Sequence, residues 1–258
     1  MKNIFLIFVI VALCFSCEEI KKYIPEELTE GEIIEGLKSA LTVGAKNSSD
    51  MASAENGFYG NALIRIPWPA EANAMKELLT DMPTALSLAL QLTGIDLQEQ
   101  VTAFERTMNR AAEEASKGAF EVFKTAVTEM TIQNAVDILY SNGNDTAATQ
   151  YLRTTTSPTL KSLFLPVVEN AVKTTNVTAL WEPLADTYNT AYEMTNEYPL
   201  LFGGIKLAAP VNPKLEEYIT GKAINGLMLL VADEEIKIRT DPAARVNDIL
   251  KKVFGKEK

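Results

Sequence analysis

The chain has no histidine. That removes the usual base of a Ser–His–Asp or Cys–His site, the paired histidine ligands of zinc hydrolases and the Glu-x-x-His motif that holds two iron ions in helix bundles. Cysteine is almost missing as well: Cys14 and Cys17 are the only two. No glycine-rich phosphate loop of the P-loop or dinucleotide type follows a strand pattern. Positive charge is in deficit, with 24 Lys and Arg against 34 Asp and Glu and a net charge of −10. An acidic chain without a basic run repels the nucleic-acid backbone, so no nucleic-acid partner is expected. No apolar run reaches the ~18 residues of a membrane-spanning helix. Carboxylate chemistry, a Ser–Lys pair or a Tyr or Arg site remains open. No cofactor and no metal are expected.

What is present begins at the front. Lys2 precedes twelve consecutive apolar residues, Ile4 to Phe15, followed by Ser16 and Cys17. Charged, apolar and small-residue regions in that order make a secretory leader. At ~1.5 Å per residue the run spans only ~18 Å, too short for a ~30 Å hydrocarbon core. The cysteine at its end resembles a bacterial lipoprotein signal, in which a Cys after a small residue receives a diacylglyceryl group and becomes the new N-terminus. Ser16–Cys17 carries the match; Cys14 stands where an aliphatic residue is usual, and Phe15 is bulky. The expectation is a signal peptide over 1–16, lipid (palmitate-type acyl chains) on Cys17, a tether over 17–28 and a single helical domain over 29–258. The protein would then sit in the bacterial cell envelope, partnered with a membrane through its lipid. With Cys14 gone and Cys17 acylated, no thiol is left for redox or zinc chemistry.

The remainder reads as helix nearly throughout. Thr29 and Glu32 have capping-box spacing, and Ile33, Leu37, Leu41 and Ala45 follow on one face. The pattern loosens at "NSSD", residues 47–50. Residues 57–68, with Asn56-Gly57 before them and two prolines near their end, read as extended, at most one short hairpin. Helices are then expected from Pro69 to Met82, from Pro83 to Gly94, and from Asp96 to a break at Gly118. Thr131 is expected to cap the next short helix and Asp145 to open another. Ser157-Pro158 suggests a fresh helix start, and Pro166 a kink. Leu180, Leu184, Tyr188 and Tyr192 form an i+4 stripe. Residues 195–211 read as a long loop. Asn212-Pro213 is expected to open the strongest helix, with Leu215, Ile219, Ala223, Leu227 and Val231 as its seam. Asp241-Pro242 starts the last one, burying Val246, Ile249, Leu250 and Val253. The fold class is therefore all-α, an irregular bundle of about ten helices.

Several blocks occur in order: "EIIEGLKSAL" at 32–41, "GFYGNALIRIPWP" at 57–69, "FERTMNRAAEEA" at 104–115, "DTAATQYLRTTT" at 145–156, and the stretch from Glu216 to Gly255. Together they resemble the bacterial envelope proteins called domain of unknown function 4197. The resemblance implies an exported, largely helical protein of unassigned activity, and carries no catalytic residues.

These blocks hold more polar residues than a core requires. Glu105, Asn109 and Glu113 share one face, with Arg106 and Arg110 on the next. Asn109, Arg110, Arg153, Asn225 and Glu234 are candidates for a cleft that binds an anionic or polar ligand. The competing reading is a buried hydrogen-bonded network that fixes helix register. Three functions stay open: a binding or scaffold module with an envelope protein partner, a small-molecule carrier with an interhelical pocket, and a carboxylate-dependent cell-wall glycosidase. The last needs two carboxylates ~5–9 Å apart in an open groove.

Overall fold

A computed structural model describes residues 27–73, 76–77, 97–141, 143–200, 207, 209–211 and 214–255. The leader, Cys17 and nearly all of the tether lie outside the described residues. So do most of the two helices expected between Pro69 and Gly94, residues 201–206 and 208 of the loop expected over 195–211, and Asn212-Pro213. The first three residues of that expected loop are helical, in the helix Thr178–Glu197.

Among the described residues there are eight α-helices and no strand. They are α1 (Glu30–Ser53), α2 (Leu97–Ser116), α3 (Ala119–Glu129), α4 (Ala135–Leu139), α5 (Ala147–Thr175), α6 (Thr178–Glu197), α7 (Glu216–Thr240) and α8 (Asp248–Phe254). Short 3₁₀ turns cover Ala70–Ala72 and Pro242–Ala244. The all-α class is as expected.

Helix α1 starts where the capping box places it. The Thr29 hydroxyl accepts from the Glu32 N–H at 3.3 Å, and the Glu32 carboxylate accepts from the Thr29 N–H at 2.9 Å. Its face of Ile33, Leu37, Leu41 and Ala45 is buried. The helix does not loosen at residues 47–50. Ser48, Ser49 and Ala52 continue the buried face, small enough to lie against the neighbouring helices. Helix α1 packs against α7, α3, α8, α2 and α4, while α7 packs also against α5 and α2. Gly36 makes the α1–α8 contact possible: a Cβ there would lie 2.6–2.9 Å from three carbons of Val253.

The largest departure from expectation is α5. It runs unbroken through Ser157 and Pro158, where a fresh start was expected, and continues past Pro166. Ala148, Leu152, Thr156, Leu160, Phe164, Val168 and Val172, spaced four apart, are all buried. Burying each large apolar side chain is worth ~1.5–3 kcal/mol, and a proline inside a helix costs ~3 kcal/mol, so the continuous face outweighs the lost hydrogen bonds. Ser157 caps nothing ahead of it. Its hydroxyl bonds back to the Arg153 carbonyl, as Thr154, Thr155 and Thr156 do to carbonyls one turn earlier.

Other boundaries shift less. The break at Gly118 falls between α2 and α3. Helix α4 begins not at Thr131 but after Asn134, which sits in the left-handed region at φ 56°. Helix α5 begins at Ala147 and α7 at Glu216. The buried face of α6 is Val177, Trp181, Ala185 and Tyr188, one residue round from the expected stripe, so Leu180, Leu184 and Tyr192 are half-buried. Asp241 caps the short 3₁₀ turn through the Ala243 N–H, and Asn247 caps α8 through the Leu250 N–H. Val246 lies between the two and is exposed, not buried.

The front of α1 is tied to α8 by Lys252, whose ammonium donates to the Glu32 carboxylate at 2.7 Å. That bond, with the Thr29 N–H, lowers the Glu32 pKa from 4.5 to about 2. A carboxylate lowered in the folded state stabilises above its unfolded value and loses the effect as pH falls through the folded one. Replacing Glu32 with Gln keeps an acceptor for the Thr29 N–H and removes the charge. The variant should melt below the parent at pH 7, and the gap should close between pH 4.5 and about 2. A gap that does not change with pH in thermal melts contradicts this origin.

Candidate functional site

The polar stripe of α2 faces the segment 55–69. Asn109 is fully buried. Its side-chain oxygen accepts from the Ile66 N–H at 2.8 Å, and its NH₂ donates to the Ile66 carbonyl at 2.9 Å and the Glu105 carbonyl at 2.8 Å. One turn on, the Glu113 carboxylate accepts from the N–H groups of Phe58 and Tyr59, both at 3.1 Å. This is why no hairpin forms. An extended backbone needs partners for its N–H and C=O groups. Here two side chains of a helix supply some of them, and residues 55–64 fold as successive turns.

Arg110 braces the same arrangement. Its guanidinium donates to Glu113, to Glu55 at 3.1 Å and to the Asn56 side chain at 3.3 Å. Glu105 receives Arg65 at 3.4 Å and Lys76. Arg65 lies 4.2 Å from the centre of the Tyr59 ring, with Arg106 at 5.9 Å from the same ring. Beside these groups is an open hollow of about 590 Å³, lined by Arg65, Trp68, Asn73, Lys76 and Glu105 among others. Beneath it Trp68, Phe104 and Trp181 form an aromatic cluster, with ring centres 4.7–5.5 Å apart.

The other candidates lie elsewhere. Arg153 on α5 and Asn225 on α7 are brought together, 2.8 Å apart, at the surface. Glu234 accepts from Asn47 of α1 and, at 2.8 Å, from Lys237. Asp233 and Glu234 together raise the Lys237 pKa above its ordinary value. The five residues thus fall into three groups with separate partners, and in each the contacts tie parts of this chain to one another.

Among the described residues the most buried ion pair involves residues absent from that set. Glu235 and Arg239, one turn apart on α7, are almost fully enclosed and meet at 2.9 Å. The Glu235 carboxylate also accepts from the N–H groups of Ala148 and Thr149, at 3.0 and 2.7 Å, and from the Thr149 hydroxyl. Thr146, at the start of α5, makes no capping bond, so α7 supplies the cap. Arg239 donates to the carbonyls of Leu139 and Ile138 at the end of α4. A sequence signal for the pair exists. The seam Leu215, Ile219, Ala223, Leu227, Val231, continued in fours, lands on Glu235 and then Arg239.

Chemically, these carboxylates are occupied. Both oxygens of Glu235 and of Glu113 accept hydrogen bonds from N–H or O–H donors of this chain. Among the described residues no group of three or more Asp, Glu or Cys could hold a metal ion.

Fold and contacts define a class: an all-α protein whose helices are stitched together by side chains bonded to distant backbone. The chain belongs to the family described as protein of unknown function (DUF4197), whose model matches residues 27–255. No curated protein and no solved structure matches it.

Breaking the Glu235 pair should be severe. Glu235→Ala leaves Arg239 enclosed without its counter-charge and should cost about 3–5 kcal/mol. The double variant Glu235→Met with Arg239→Leu should recover most of this, leaving about 1 kcal/mol for the lost α5 cap. Urea unfolding of the three proteins measures both. Equal losses in the single and double variants would mean that the pair is not the source.

Proposed function

We propose that the protein is a lipid-anchored cell-envelope protein that works as a binding or scaffold module. One observation carries the reading: the chain uses its buried charged and amide side chains on itself, leaving only the Ser48 and Ser49 hydroxyls and the Trp181 indole N–H without a partner among the buried side-chain polar atoms described. Asn109, Glu113, Glu234, Glu235 and Arg239 are all buried, and all are bonded to distant backbone or to side chains of this chain. An enzyme needs some of its polar groups poised for a substrate. Here they fix helix register, and the exposed surface is what remains for partners.

Anchoring is supported by the leader pattern that ends at Ser16–Cys17. No described helix is long and apolar enough to cross a membrane. Two acyl chains hold stably, since each buried CH₂ contributes ~0.8 kcal/mol. The tether would set the acidic helical body off the periplasmic face or the cell surface. Glu113 and Glu235, the two most buried carboxylates described, are both bonded within this chain, which gives a glycosidase no support from them.

Cys17→Ala tests the anchor. The variant should leave the membrane fraction and lose the acyl mass; unchanged partitioning at full uncut mass would end the anchored reading. A photo-cross-linker at Leu63, which is 81% exposed, tests the scaffold in intact cells. A single adduct of defined mass with an envelope protein is expected, and no adduct there or at Leu229 would shift the function to a small-molecule carrier.

A further inference from the structure

Two tryptophans occur in the chain, and their indole N–H groups are treated differently. Trp68 donates to the Ala72 carbonyl at 2.8 Å. Trp181 is fully buried, and its Nε1 has no hydrogen-bond partner. A buried unsatisfied donor is rare in native structures and calls for an explanation. Trp181 lines a hollow of about 310 Å³.

The hollow opens at the start of α7. Leu215, at the cap position, makes no side-chain capping bond. The first N–H groups of a helix carry partial positive charge and favour an anion. Lys214, on the same rim, is a cation that also interacts within this chain, and Glu216 and Glu217 stand in the first turn of α7. Glu217 is also at the rim, but it is exposed and pairs with Lys161 of α5 at 3.1 Å. Pro69, Val211 and Leu215 make apolar walls. An idle indole donor, an uncapped helix start and a cation therefore adjoin an apolar slot at the small end of ligand-pocket volumes.

We infer that this hollow binds a small amphipathic carboxylate. One carboxylate oxygen accepts from Trp181 Nε1, the charge faces Lys214 and the start of α7, and the apolar body lies against Pro69, Val211 and Leu215. The inference deepens the binding-module reading by naming a ligand class, and rests on it for that. It does not depend on the lipid anchor, because its test reads the indole of Trp181 alone.

The full chain, labelled with ¹⁵N-tryptophan and held in phosphatidylcholine nanodiscs, gives two indole N–H resonances, and Trp68→Phe assigns them. Sodium octanoate should move the Trp181 resonance downfield and saturably, while that of Trp68 stays in place. Octanol, with the same tail and no charge, should bind about tenfold more weakly. Lys214→Gln should weaken octanoate severalfold and leave octanol unchanged. The proposal is overturned if the Trp181 resonance does not move, if both resonances drift together without saturating, or if octanol matches octanoate.

Discussion

The architecture depends on one buried carboxylate. Glu235 lies inside the bundle, where an unpaired charge would be intolerable, and every donor it meets comes from a structural boundary. Ala148 and Thr149 are the first turn of α5, and Arg239 carries the same charge network on to the last carbonyls of α4. One helix end and one helix start, each with orphaned backbone groups, are satisfied together by α7. Arg245 extends this, donating to the carbonyls of Ile238 and Arg239 at the end of α7 itself. Three helix termini thus converge on side chains placed one or two turns apart.

The other end of the bundle uses the same device in different chemistry. Asn109 and Glu113 do for the segment 55–66 what a partner strand would do, giving its backbone donors and acceptors to meet. That lets an irregular stretch be buried without strand pairing, and it places Phe58, Ile64, Ile66 and Trp68 in the core. Gly226 of α7 takes up the closest approach, since a Cβ there would stand 3.0 Å from both Ile64 and Phe58. Helix α2 and helix α7 therefore both hold this stretch, α2 by the hydrogen bonds of Asn109 and Glu113 and α7 by packing at Gly226 and by the Tyr218 hydroxyl, which donates to the Pro67 carbonyl at 2.9 Å.

What could be read in the sequence follows from how local each signal is. The capping box at Thr29 and the seam of α7 depend on residues within a turn or two, and both were legible. The break expected at Ser157-Pro158 applied a local rule, and the tertiary face from Ala148 to Val172 overrode it. The strand-like reading of 57–68 recognised correctly that helix was impossible there. It could not see that the hydrogen-bond partner would be a side chain more than forty residues away in sequence. Of the polar candidates, Arg153 with Asn225 was a true pair. The expectation of one shared cleft had no local signal to support it, because the pairing of each residue is set by helix packing. Glu235 and Arg239 were not among the candidates, although the spacing of the α7 seam runs straight onto them.

A buried ion pair is a poor device for stability alone. Apolar residues of the same volume often serve as well or better, because desolvation cancels most of the attraction. Its advantage here is selectivity among packings. Apolar faces with i+4 spacing, such as those of α1, α5 and α7, can slide by a turn and still bury similar area. A carboxylate that must meet the first N–H groups of α5 has only one acceptable position. Helix α4, at five residues, is too short to hold itself by internal bonds, and its end is defined by the same arginine. The polar core therefore turns a set of interchangeable apolar faces into one arrangement. That arrangement fixes the surface of the bundle, and its most enclosed charges are parts of the frame.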